Sequence, residues 1–288
     1  MTTLSEAMGG TKAVVRKYAP KSLMWRVAPI RLYWAGSNDE NANFGDQLSP
    51  LLIRNLFGAS VKYSGIGAAD MVAVGSILEG AQNLAETRPW IWGSGFIEPG
   101  GPWNGPDVTV LALRGALSME RFVQAGYPEV PLGDPGILVR QALSHLQRQP
   151  SDRIGFVPHF TERDNERSRE IASHPSVKLI NVCAPVEDVV SEILQCRLVL
   201  SSSLHGLIVS DSFGVPNQWI EPGPGVTGGR YKFDDYYSAF GVKRGPVDPV
   251  EMIREADHVV SSWRPLPHQA AIEAGLMKAF PIHRRRVG

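Results

Sequence analysis

One junction in this sequence gathers groups able to do chemistry. The apolar run Leu198-Val199-Leu200 leads into Ser201, Ser202 and Ser203, followed at once by Leu204, His205 and Gly206. Read as a buried strand entering a helix, it sets free backbone N–H groups and the positive end of a helix dipole beside serine hydroxyls. That is a setting for a phosphate or a carboxylate. His205 adds a side chain that titrates near neutrality, so proton transfer beside a bound anion is the expected chemistry. The competing interpretation is a serine-capped packing helix whose histidine is satisfied by a carbonyl.

Other strand ends add candidates. In Asn43-Phe44-Gly45-Asp46, Asp46 is a plausible helix N-cap, and Gly45 would let a ligand reach the backbone. Val74-Gly75-Ser76 and Trp92-Gly93-Ser94-Gly95 also end apolar runs in glycine, for close ligand approach or for ordinary turns. Arg114 follows the run 108–113, where a guanidinium can fork to an anion or join a surface ion pair. His159 ends another apolar run. Glu221 opens a Pro- and Gly-rich stretch leading to Gly228-Gly229-Arg230-Tyr231-Lys232, which reads as a flexible basic arm over an anion. Asp234 and Asp235 are adjacent and so diverge on any regular element, and only two cysteines occur, Cys183 and Cys196. No metal site is expected.

Elements must hold these groups in place. Apolar and β-branched runs predict strands at 30–34, 71–74, 90–92, 108–113, 154–157, 177–182, 198–201 and 217–220. Helical patterns fall at about 47–57, 116–124, 162–172, 186–195, 205–213, 249–262 and 267–280. Strand–helix alternation predicts mainly parallel sheets covered by helices. A polar stretch at 140–152, closed by Pro150, divides the chain into an N-terminal unit, 1–145, and a C-terminal unit, 150–288. In such α/β folds ligands bind beyond the carboxyl ends of the strands.

The 288 residues can bury a sizeable core. Twenty-nine basic residues balance 29 acidic ones, so no broad cationic surface for nucleic acid is expected. Two cysteines exclude a disulfide scaffold, and both are expected as buried free thiols. No export signal or membrane-spanning run is evident, which predicts a cytoplasmic protein. The N-terminal basic stretch and the tail His283-Arg284-Arg285-Arg286 leave open a peripheral contact with the inner face of the membrane; the tail is read first as solvated.

Taken together, the motif pieces resemble the polysaccharide pyruvyltransferase family. They are Asn43-Phe44-Gly45-Asp46, Ala69-Asp70 through Gly75-Ser76, Trp92-Gly93-Ser94-Gly95, Leu113-Arg114-Gly115-Ala116, Gly133-Asp134-Pro135, Val157-Pro158-His159 and Ser203-Leu204-His205-Gly206 through Gly214-Val215-Pro216. The resemblance runs from about Ile30 to Phe240, nearest to enzymes that decorate bacterial exopolysaccharides. It implies a GT-B-like pair of Rossmann-type domains, acceptor side first and donor side second. It implies phosphoenolpyruvate as donor, no cofactor, and a sugar acceptor in an exopolysaccharide or its lipid-linked repeat unit. The product would be a 1-carboxyethylidene ketal across two hydroxyls. In that frame His205 is the one acid/base group; Arg114, Arg230 and Lys232 clamp the donor and Ser201, Ser202 and Ser203 donate to its phosphate. Asn43, Gly45, Asp46, Gly93, Ser94, His159 and Glu221 face the acceptor or the cleft. Many family members carry arginine where this chain has Ser203, and Arg230 or Lys232 would replace that charge. Two rival functions share this architecture: a glycosyltransferase using a nucleotide sugar, and a non-catalytic saccharide-binding subunit.

Overall fold

The structure, a computed structural model, describes residues 28–36, 43–83, 88–223 and 226–282. The N-terminal basic stretch, the 283–286 tail and residues 224–225 of the Glu221 loop lie outside them. Five strands, β1 (Ile30–Tyr33), β2 (Val61–Tyr63), β3 (Met71–Val72), β4 (Trp90–Trp92) and β5 (Thr109–Ala112), form one sheet in the order β2-β1-β3-β4-β5. Four more, β6 (Ile154–Val157), β7 (Val177–Leu179), β8 (Leu198–Ser201) and β9 (Asn217–Trp219), form a second in the order β7-β6-β8-β9. Every strand pairing in both sheets is parallel. The expected alternation is therefore present, and both strand orders are doubly wound, as in Rossmann-like domains.

The helices are α1 (Phe44–Phe57), α2 (Leu78–Gln82), α3 (Ala116–Gln124), α4 (Val139–Ala142), α5 (Glu166–Ala172), α6 (Val186–Leu194), α7 (Leu204–Phe213), α8 (Tyr231–Ser238), α9 (Pro249–Arg254), α10 (Ala256–Ser262) and α11 (Gln269–Ala279). None is long and apolar enough to cross a membrane. Helix α1 starts at Phe44, three residues earlier than the sequence pattern places it, because Asn43 is the cap. Asn43 Oδ1 accepts the Asp46 N–H at 3.2 Å, and its Nδ2 donates to Asp46 Oδ2 at 2.6 Å. Asp46 is thus not the cap; it sits in the first helical turn, where a carboxylate meets the positive helix end.

Each sheet has one outer face of its own. Val72, Ile91, Phe96 and Phe122 build the outer layer of the first sheet; Ile154, Phe156, Leu198 and Leu200 build that of the second. Between the sheets lies a single buried cluster. It joins Leu48 and Leu52 of α1 to Val189 of α6, Leu207 and Ile208 of α7 and Phe280 beyond α11. Both cysteines are free; Cys196 is buried, but Cys183 is half-buried rather than buried.

Candidate active site

A cavity of about 320 Å³ opens where the two sheets present their strand ends. From the first sheet, Ala35 and Gly36 follow β1, and Gly75 and Ser76 follow β3. From the second, His159 follows β6, and Ser203, Leu204 and His205 follow β8. Each pair of strands flanks the point at which its sheet reverses strand order, the usual crevice for a ligand in a doubly wound sheet. Two such crevices therefore share one cavity.

His205 lies in the first turn of α7, whose cap residue Ser203 makes no side-chain capping bond. The first-turn N–H groups have no intrahelical acceptors and sit at the positive helix end. Against the imidazole lies Gly45 of α1; a Cβ there would overlap the His205 ring. Glycine at this position is what lets the two halves meet at the histidine. His205 Nε2 is buried without a hydrogen-bond partner. Burial, with Arg114, Lys232 and His159 nearby, pushes its pKa down to about 3, so the imidazole is neutral. His159 is pushed down to about 4 by burial and by Lys232, and its Nδ1 lies 2.8 Å from Thr161 Oγ1.

Lys232 enters from α8 and is buried at 6% exposure. Its Nζ donates to Thr227 O at 3.4 Å. Burial first, then Arg114, lowers its pKa to about 8, against the pull of Glu162 and Asp46. It remains a cation at neutral pH. Asp46, also in the cavity wall, moves the other way: burial raises its pKa to about 7 despite Asn43 and Lys232.

Of the residues singled out by sequence, Asn43, Asp46, His159, Ser203, His205 and Lys232 line this cavity, and Gly45 abuts it through His205. The others sit elsewhere. Arg114 is fully buried, with its Nε donating to Asp235 Oδ2 at 2.9 Å, Nη1 to Ser76 Oγ and Nη2 to Phe96 O. It stands behind Ser76 rather than in the cleft. Ser201 Oγ donates to Val157 O at 2.9 Å, and Ser202 Oγ donates to Glu162 Oε2 at 3.2 Å while accepting the His159 N–H at 2.9 Å. Both hydroxyls hold the turn. Ser94 Oγ donates to Ala73 O, and Gly93, at φ +79°, packs on Pro135. Glu221 is exposed and its carbonyl accepts from Arg167 at 2.6 Å. The basic arm is a helix: α8 buries Lys232 and leaves Arg230 exposed over the Trp219 ring at 5.5 Å, beside a separate hollow.

Three acids matter more than the sequence suggested. Asp235 anchors α8 by accepting from Arg114, Ser118 N and Ser118 Oγ. Glu162 accepts from Ser202 and, at 2.6 Å, from Gly223 N. Asp134 is fully buried and accepts the Gly136 N–H at 2.8 Å. The overlooked signal for α8 was the spacing of Phe233, Tyr236, Tyr237 and Phe240, all buried on one helical face.

The model of the polysaccharide pyruvyl transferase family matches residues 10–223, well over half of the sequence. The chain belongs to this family. Among curated proteins it is similar to the succinoglycan biosynthesis protein ExoV of Rhizobium meliloti (strain 1021), at 25% identity over 74% of this chain and 66% of that one. It is also similar to the uncharacterized protein L143 of Acanthamoeba polyphaga mimivirus, at 35% identity over 40% of this chain and 42% of that one. The chain thus spans less than two thirds of either relative. For this polysaccharide pyruvyl transferase family member, the cavity offers a neutral imidazole, a buried ammonium and a helix N-terminus, a set able to hold a small anion and move protons beside it.

Proposed function

We propose that this chain transfers a pyruvyl group from phosphoenolpyruvate to two hydroxyls of a sugar, within a bacterial-type exopolysaccharide or its lipid-linked repeat unit. The succinoglycan role in the name of ExoV is consistent with such an acceptor. The two halves act as a GT-B-like pair, with donor groups drawn chiefly from the second. The observation that carries this reading is the unpartnered, buried Nε2 of His205 in a cavity shared with Lys232.

The chemistry follows from the donor. Phosphoenolpyruvate has a carboxylate and a phosphate, which favour an ammonium and first-turn N–H groups. Lys232 and the start of α7 supply both. The methylene carbon must gain a proton to become methyl, which makes the central carbon electrophilic. One sugar hydroxyl adds to that carbon, and a second displaces phosphate. A neutral imidazole is in the right state to take a hydroxyl proton. Arg114 serves indirectly: by holding Ser76 and Asp235, it fixes the cavity floor and the helix that carries Lys232.

The test is incubation with labelled phosphoenolpyruvate and a panel of oligosaccharides, with ketal and phosphate measured. The expected result for His205→Ala is a loss of about 100-fold or more in turnover with an unchanged circular dichroism spectrum. Near-normal turnover would remove His205 from the reaction. Thermal stabilisation by phosphoenolpyruvate and not by nucleotide sugars separates this reading from a nucleotide-sugar glycosyltransferase.

A further inference from the structure

We propose that Asp46 is the proton donor to the methylene carbon of the donor, acting across the cavity from His205. This rests on the pyruvyl-transfer reading and divides its proton transfers between two residues. Asp46 and His205 belong to different halves, on the first turns of α1 and α7. Both line the same cavity. Gly45, the residue preceding Asp46, packs directly on the His205 imidazole, so the two first turns are in contact at this point. Asp46 is oriented by Asn43, whose Nδ2 donates to Oδ2 at 2.6 Å.

The charge states fit the division. The groups facing Asp46 are Lys232 from α8 and Tyr33 from β1, with Asn43 on its own turn. Those facing His205 are Lys232, His159 from the β6 loop and Arg114. At Asp46 burial outweighs Asn43 and Lys232 and holds the carboxyl near pH 7; at His205 burial and the neighbouring cations act together and hold the imidazole near pH 3. Below about pH 7 the carboxyl therefore carries a proton to give, and the imidazole has a lone pair to receive one. A neutral imidazole has no acidic proton for carbon, so a second group is required. Paired ionisable groups pushed apart by burial are the usual mark of an acid and its base.

The steps balance. First, the Asp46 O–H protonates the methylene carbon, the double bond becomes single, the first sugar oxygen bonds to the central carbon, and His205 takes that hydroxyl's proton. Second, the bond from the central carbon to the phosphate oxygen breaks, and the second sugar oxygen bonds in its place. The Asp46 carboxylate takes the second hydroxyl's proton, and His205 returns its own to the departing phosphate. Both residues end as they began. Of the two hydroxyl protons, one reaches phosphate and one reloads Asp46, whose original proton is now in the methyl group.

The experiment compares wild type with Asp46→Asn, which preserves the shape and the Asn43 contact. Phosphate release from phosphoenolpyruvate is followed from pH 5 to 9 with pyranosides carrying free vicinal and 4,6-diols, and donor affinity is measured by calorimetry. The expected wild-type rate falls above about pH 7 as Asp46 ionises. The variant is expected to lose about 100-fold or more in kcat, to bind the donor within about 3-fold of wild type, and to lack the fall near pH 7, keeping only the loss above about pH 8 that Lys232 causes as it gives up its charge. A variant rate above about one third of wild type, or a fall centred near pH 7 that persists in the variant, overturns the role of Asp46 while leaving pyruvyl transfer intact. Absence of diol-dependent phosphate release by wild type overturns both.

Discussion

Burial makes the charged form of a side chain costly, whichever sign it carries, and it is the largest cause of both His205 standing low and Asp46 standing high. Asp134 isolates the effect away from the cavity. It is fully buried, one carboxylate oxygen has no partner, and its pKa is raised to about 6. A carboxyl with a raised folded pKa stabilises the protein below its unfolded value, 3.8, and that contribution is lost as pH climbs towards 6. Asp134→Asn should therefore gain stability relative to wild type at pH 8, by about 2 kcal/mol, and little at pH 4. Urea melts at both pH values measure it, and an equal effect at both would refute the assignment. Lys232 and Arg230 part company in the same way. Lys232→Met should raise the donor KM by about 10-fold or more, whereas Arg230→Ala, exposed on Trp219, should change it by less than about 3-fold. Residue type alone pointed to His205, Asp46 and Lys232. It could not place Arg114, because the partner that draws it inward, Asp235, is 121 positions away.

Elements were legible where the pattern was local. The strands Trp90–Trp92, Ile154–Val157 and Leu198–Ser201 stand where apolar runs predict them, and Gly214, in the left-handed region at φ +68°, ends α7 as read. Helix α8 was masked by the glycines before it, although its aromatic spacing is helical. Short elements such as Val61–Tyr63 and Leu78–Gln82 lack enough residues to show a period. The register of α1 against α7 is a property of neither sequence alone. It depends on a helix position without a side chain, Gly45, under the His205 ring. Gly45→Ala should push the imidazole aside and, on the proposed role of His205, lower kcat by about 10-fold or more, since small displacements of a group that transfers protons are expensive. Its melting temperature should fall by only a few degrees, about 1 kcal/mol or more being lost to the overlap. Kinetics and calorimetry on the one variant would show it, and unchanged turnover would mean that the ring finds an equivalent seat.

At the scale of the molecule, strand–helix alternation reveals two parallel sheets but not which outer face each helix covers. The last helix returns to the first sheet. Trp92 Nε1 of β4 donates to Leu276 O of α11 at 3.0 Å, and Phe280 stacks on Phe57 with centroids 3.8 Å apart and meets the Trp92 ring edge-on at 4.8 Å. That strap closes the shared core, which already joins α1 to α6 and α7. A cavity that takes His205 from one half and Asp46 from the other depends on this joint, because neither half holds both groups. Phe280→Ala removes the stacked ring from a fully buried position and should cost about 3–5 kcal/mol. If the core binds the halves into one cooperative unit, the loss appears in both. Amides of β4 and of β8 should lose hydrogen-exchange protection by the same free energy, although the rings Phe280 packs on, Phe57 and Trp92, belong to the first half. Protection lost in β4 and kept in β8 would instead make the halves independent folding units, and the cavity a joint between two separately stable bodies.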